Sequence, residues 1–183
     1  SGPLRETTLM LFVMFCSGLA ALTLFPANLW SYVLQYCLSP DVRQEGLHLS
    51  AFYLTKEEFA QRLLGLPDIL APFQEIRRAL RHGSWLMFML WGNIGMFLPI
   101  GFCTALLWRK PRWWKSLLAG FAASAWIETV QFFIGRSTDI DDVILNTTGA
   151  FAGYVLFLVL HALAPQFTAK FHCRLKEETP QHG

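Results

Sequence analysis

Four stretches of this chain are apolar for long enough to cross a bilayer, and they limit the possible folds more than any other feature. Residues 7–25 contain no charge and end at Pro26. Residues 85–108 are also uncharged but carry Asn93 and Pro99. Residues 116–134 contain Glu128 and Gln131, and residues 146–164 end just before Pro165. A bilayer's hydrocarbon core needs roughly 17–25 residues of helix to span it. Within that core, only helices and closed barrels satisfy every backbone N–H and C=O group. The pattern predicts an all-α, polytopic membrane bundle with four transmembrane helices. Composition agrees: 54% of the 183 residues are hydrophobic and only 15% are charged, against about 25% charged in a soluble domain. A disordered chain, a disulfide scaffold and a collagen-like fibre are excluded. A net charge of +2 gives no reason to expect nucleic acid as a partner.

The remaining segments organise around these runs. Ser1-Gly2-Pro3 resembles a protease-cleavage scar and is set aside, which leaves one membrane domain over 4–165 and a tail over 166–183. Cys16, Cys37, Cys103 and Cys173 form no CxxC pair, and two of them lie in apolar runs, so no disulfide framework is expected. No small-residue cleavage site follows the first run, so it is read as an uncleaved span rather than a signal peptide. Arg109, Lys110, Arg112 and Lys115 crowd the turn between the second and third runs, and Lys170, Arg174 and Lys176 lie in the tail. Positive loops stay inside. The expected topology therefore has both termini cytoplasmic and the insert 26–83 outside. Arg77, Arg78 and Arg81, just before the second run, pull the other way.

The insert is too long for a bare loop. Residues 28–38 read as a stretch lying at the interface. Thr55-Lys56-Glu57-Glu58 is a capping box, which predicts a short helix ending near Gly65. A second short helix is expected from Pro72 to about His82, closed by Gly83. It either caps the bundle or presents Arg77, Arg78 and Arg81 to anionic headgroups.

Charged and amide side chains inside a membrane are costly, so each needs a reason. Glu128 lies about 10 Å below the outer end of its helix at 1.5 Å per residue. Gln131, Ser124 and Gly120 fall on its face. In the next run Asp139, Asp142, Asn146, Gly149 and Gly153 follow one another at helical spacing along one seam, and Gly149-x-x-x-Gly153 admits a neighbouring backbone. The short turn containing Arg136 joins the two stripes, and Asn93 lies at similar depth. Asn93, Glu128, Gln131, Arg136, Asp139, Asp142 and Asn146 are therefore expected to converge in a cleft open to the outer face. Two readings compete. The groups could simply bind one another and glue the helices together, with Arg136 paired to an aspartate and Glu128 bonded to Asn93. Alternatively, their number exceeds what four helices need, and they form a ligand site. No cofactor or resident metal is expected, although Asp139, Asp142 and Asn146 could present oxygens to Mg²⁺ or Ca²⁺. There is no GxSxG, no HExxH and no phosphate-binding glycine loop.

The ordered set Asn93-x-x-x-Phe97-x-Pro99-x-Gly101, Glu128-x-x-Gln131 and Arg136-x-x-Asp139-x-x-Asp142-x-x-x-Asn146-x-x-Gly149-x-x-x-Gly153 resembles the VanZ-like family. Thr23-Leu24-Phe25-Pro26 is similar to that family as well. The resemblance implies a small bacterial inner-membrane protein and a shared site at the matching polar positions. The family's namesake is an accessory in glycopeptide resistance that lowers susceptibility to teicoplanin-type lipoglycopeptides without remodelling the stem peptide.

The expected activity is binding of an amphiphile, either a lipid-linked cell-wall intermediate or other membrane lipid, or a lipoglycopeptide. In that reading Arg136 holds an anionic group, and Glu128 is a buried acid or base oriented by Gln131 and Asn93. Asp139, Asp142 and Asn146 bind headgroup atoms. If the protein is an enzyme, a hydrolase or transferase acting on a lipid-linked substrate, then Glu128, Asp139 and Asp142 are the catalytic candidates. A proton-coupled transporter is disfavoured, because the inner halves of the spans hold few polar residues. A purely structural subunit is the remaining class.

Overall fold

The computed structural model describes residues 2–24, 34, 36–38, 54–108 and 110–171, and no strand occurs among them. The helices with described bounds are, in order, α1 (Pro3–Leu24), α2 (Lys56–Leu64), α3 (Leu66–Ile69), α4 (Gln74–His82), α5 (Ser84–Leu107), α6 (Trp113–Phe133), α7 (Ile140–Leu163) and α8 (Pro165–Ala169). Of the stretch 28–38 only residues 34 and 36–38 are described, and they are helical; 172–183 lies outside the described residues.

Among the described residues, three helices are long and apolar enough to cross a membrane: Pro3–Leu24, Trp85–Leu107 and Ile140–Leu163. α6, the fourth expected span, has 21 residues but carries Lys115, Glu128 and Gln131. Length and composition alone therefore mark three spans rather than four. Its polar side is covered by protein, with Ser116 and Ser124 fully buried and Glu128 nearly so.

Local chemistry sets the helix ends. Pro3, set aside in the sequence reading, opens α1, where its missing N–H is no loss. Thr55 and Glu58 form both halves of the capping box, and Gly65 closes α2 as expected. α3 was not expected; Leu66 and Pro67 start it directly after that cap. Gly83 separates α4 from α5 at φ 104, a conformation open to glycine. α7 starts at Ile140, ahead of the apolar run at 146 and in the outer turn where the Asp139 seam placed it; the Asp139 side chain caps it by accepting the Asp141 N–H.

α7 is the central helix and packs on both α5 and α6. Gly149 lies against the Ile94 carbonyl and Gly153 against the Leu98 carbonyl, so α5 and α7 run parallel with main chain on main chain. A methyl group at either glycine would overlap those carbonyls. Gly101 fits under the Ala150 carbonyl in the same way, and Gly120 of α6 leaves room for the Ala150 side chain. α5 continues through Pro99 without a break. Phe97 and Ile100 meet Leu19 and Ile127 in one apolar cluster, and Phe157 meets Ala105, Leu106 and Phe171 in another. α1 is peripheral: only Leu19 is buried, while Met10, Leu11, Met14 and Leu22 are exposed. Exposed aromatics mark both ends of α5, with Trp85, Phe88 and Trp91 at one and Trp108 at the other. Lys115 sits 4.6 Å over the Trp108 ring.

The glycine contacts predict a contrast between two substitutions. Gly153→Val is expected to cost about 1–3 kcal/mol or more through overpacking. Gly92→Ala, where a Cβ meets nothing within 4 Å, should be neutral or stabilise by up to about 1 kcal/mol. Thermal unfolding in detergent measures both.

Candidate functional site

The buried stripe of α6 repeats every fourth residue: Ser116, Gly120, Ser124 and Glu128. It faces α7 and α5. Ser116 Oγ donates to the Gly101 carbonyl of α5 at 3.0 Å. Asn146 of α7 donates from Nδ2 to Ser124 Oγ at 2.9 Å. The Asn146 carbonyl oxygen is buried without a hydrogen-bond partner among the described residues. Glu128 is 7% exposed and accepts the Asp139 N–H at 3.2 Å, so its carboxylate meets the first turn of α7. Asp142, Asp139 and Arg136 all lie within its electrostatic reach.

The other expected site residues are placed nearby but are bonded differently from the sequence reading. Asn93 donates to Asp142 Oδ1 at 2.5 Å, joining α5 to α7, and does not orient Glu128. Gln131 donates from Nε2 to the Thr23 carbonyl at 2.7 Å, so it also serves another partner. Arg136 Nη1 donates to the same Thr23 carbonyl at 2.6 Å, and more weakly to that of Leu22 at 3.4 Å. The reason is common to both: the last carbonyls of α1 have no partner within their own helix. A guanidinium placed there also meets the negative end of the helix dipole.

One central residue was missed. Asp141 is fully buried. Its carboxylate accepts the N–H groups of Phe73, Glu75 (2.8 Å) and Ile76 (3.3 Å). It therefore caps α4 from a distant part of the chain, at a turn where Phe73 holds the left-handed φ of 66. Such a backbone costs about 1–3 kcal/mol, and the carboxylate bonds offset it. Asp139–Ile140–Asp141–Asp142 held a signal, three acids in one helix-opening turn, but the seam at spacing three and four passed over the middle one. On the other side of the insert, Arg62 donates to the carbonyls of Phe132 (3.1 Å) and Arg136 (2.6 Å). Phe59 stacks on Phe133. The insert is thus fastened over the end of α6 and α7 by two polar clamps.

Asp139 lies just outside α7. Burial pushes its carboxyl above the ordinary aspartate range, as do the Asp141 and Glu75 carboxylates, while the Asp141 N–H and Arg78 act against the rise.

Beneath the clamped insert is a cavity of about 300 Å³. Leu66, Ile69 and Leu70 form its roof, and Phe121, Phe132 and Val143 are among its apolar walls. Of the seven expected site residues, Glu128 and Asp139 line it. The other five are held in contacts between helices. Among the described residues, no group of three or more His, Cys, Asp or Glu side chains is placed to hold a metal ion.

A family model, VanZ/LLP1, matches residues 12–161. The chain belongs to the VanZ/LLP1 family. The match runs from within α1 through most of α7 and includes all seven polar residues. With its apolar helices, the chain is a membrane protein of that family. Neither the curated proteins nor the solved structures gave a match.

In this VanZ/LLP1 chain the clamp at Asp141 should be measurable. Asp141→Ala leaves three backbone donors without their carboxylate, at about 1–3 kcal/mol for each that stays buried and unpaired. Hydrogen exchange at residues 73–76 should accelerate while exchange in α5 stays slow. At the neighbouring cap, Asp139→Ala should cost about 1 kcal/mol and Asp139→Asn much less, because asparagine caps as well as aspartate. Thermal unfolding at neutral pH separates the two.

Proposed function

We propose that this VanZ-like protein binds an amphiphile of the bacterial cell envelope in the cavity between α3, α6 and α7. The occupant is a lipid-linked envelope component or a lipoglycopeptide, and binding contributes to teicoplanin-type resistance. The observation that carries this reading is the cavity's construction: apolar walls with two carboxylates at one place, under a roof supplied by the insert. Sites of about 300–1,000 Å³ with few polar groups on apolar walls are the usual form of small-ligand pockets. Phe121 is half-exposed on the side of α6 that faces away from the bundle, so an alkyl chain can reach the cavity from the bilayer. Asn93, Gln131, Arg136 and Asn146 support the site by joining α1, α5, α6 and α7 around it. The protein sits in the inner membrane as a four-span bundle with both termini cytoplasmic and the insert outside.

Glu128 at the cavity wall also favours a second reading, in which it is the acid or base of a hydrolase or transferase acting on a lipid-linked substrate. Asp139 and Asp142 would then act beside it.

Native mass spectrometry of the gently purified protein tests the first reading. A lipid-like adduct is expected on the wild type and should be lost in Ala125→Trp, which fills the cavity. An adduct unchanged by that substitution would place binding elsewhere. For the second reading, turnover of an envelope lipid extract in detergent should vanish in Glu128→Gln; binding without turnover by the wild type would leave the protein a binder.

A further inference from the structure

The polar side chains on the cavity wall share one property: all offer acceptors. Glu128 and Asp139 are carboxylates. The Thr129 hydroxyl also lines the cavity, and its hydrogen is given to the Ala125 carbonyl at 2.7 Å. The Thr138 hydroxyl gives its hydrogen to the Arg136 carbonyl at 3.4 Å. Each threonine hydroxyl then has acceptor lone pairs left to offer. Among the described residues, no lysine, arginine, histidine, asparagine or glutamine lines the cavity.

Three cations on adjoining elements have donors bonded elsewhere. Arg62 donates to the Phe132 and Arg136 carbonyls. Arg136 donates to Leu22 and Thr23 carbonyls of α1. Arg78, within electrostatic reach of Asp139, pairs with Glu75. Among the described residues, a phosphate or carboxylate head in this cavity would meet two carboxylates and no nitrogen donor from a side chain. A protonated amine would meet both carboxylates in a low-dielectric setting where their attraction is strong. The rest of the occupant is set by α6. Phe121, Ala125 and Thr129 form an i, i+4, i+8 ridge along the cavity, about 12 Å long at 1.5 Å per residue. That shape fits one extended alkyl chain.

We propose that the cavity takes an amphiphile with a primary ammonium head against Glu128 and Asp139 and an alkyl chain along the Phe121–Ala125 ridge. This assignment rests on the amphiphile-binding reading above and narrows it to one head chemistry. It also moves recognition away from Arg136 and from an anionic headgroup.

Three probes with one chain length test it: dodecylamine, 1-dodecanol and dodecyl phosphate. Each is titrated into the protein in phosphatidylcholine nanodiscs and read by native mass spectrometry. The bound excess over Ala125→Trp removes simple partitioning into the lipid. Dodecylamine is expected to bind about ten-fold or more tightly than dodecyl phosphate. Replacing both acids, Glu128→Gln with Asp139→Asn, should weaken dodecylamine by about ten-fold and leave 1-dodecanol within about two-fold. Should the double variant fail to fold, Asp139→Asn alone, which keeps the helix cap, carries the same comparison with a smaller loss.

If dodecyl phosphate or 1-dodecanol matches dodecylamine while Ala125→Trp still abolishes the excess, the ammonium assignment is overturned and the amphiphile cavity stands. If no probe shows an excess over Ala125→Trp, the cavity reading itself fails, and this assignment with it.

Discussion

Main chain touches main chain where α7 lies along α5, with Gly149 and Gly153 against the Ile94 and Leu98 carbonyls and Gly101 against Ala150. In hydrocarbon there is no water to drive apolar faces together. Helices associate instead through close packing and weak C–H···O contacts, and small residues permit both. Three glycines at matching heights therefore fix two rigid rods in one register. That register brings Asn93 to Asp142, so a polar bond inside the membrane depends on an apolar fit one to three turns away.

Much of what surrounds the cavity follows from the cost of leaving polar groups unpaired in such a setting. The last carbonyls of α1 are answered by Gln131 and Arg136, and the first N–H groups of α4 by Asp141. Helix ends, more than opposite charges, choose the partners of these side chains. The polar residues thus do two kinds of work in one small volume. Most hold α1, α5, α6, α7 and the insert together, and Glu128 and Asp139 line the open pocket beside this framework.

The legible part of the sequence was local or periodic. Thr55 and Glu58 announced a helix start through bonds within one turn, and that start is present with both bonds made. The i, i+4 stripes on α6 and α7 gave the faces that meet, because a helix carries its periodicity wherever it packs. The less legible part was pairing. Periodicity put Asn93, Gln131 and Glu128 on stripes that converge, but a rotation or a different bond geometry separates neighbours from partners. Asn93 took Asp142 and Gln131 took a carbonyl of α1. The role of Asp141 was hidden for the same reason: three acids in one turn marked the place, but its partners lie 65 to 68 residues away. The number of spans was ambiguous because hydropathy counts Lys115, Glu128 and Gln131 against α6 without knowing that protein covers its polar face.

By itself the sequence determined that the chain is a helical membrane protein, where its main helices run and which faces carry the polar and small residues. These follow from the bilayer's demand for internally bonded backbone and from the fixed pitch of a helix. Only the tertiary structure decided which donors meet which acceptors, that Asp141 fastens the insert, and that two carboxylates alone among the seven reach the cavity. Those outcomes depend on the relative rotation and height of packed helices, which the main-chain contacts of α5 and α7 set and no single segment encodes.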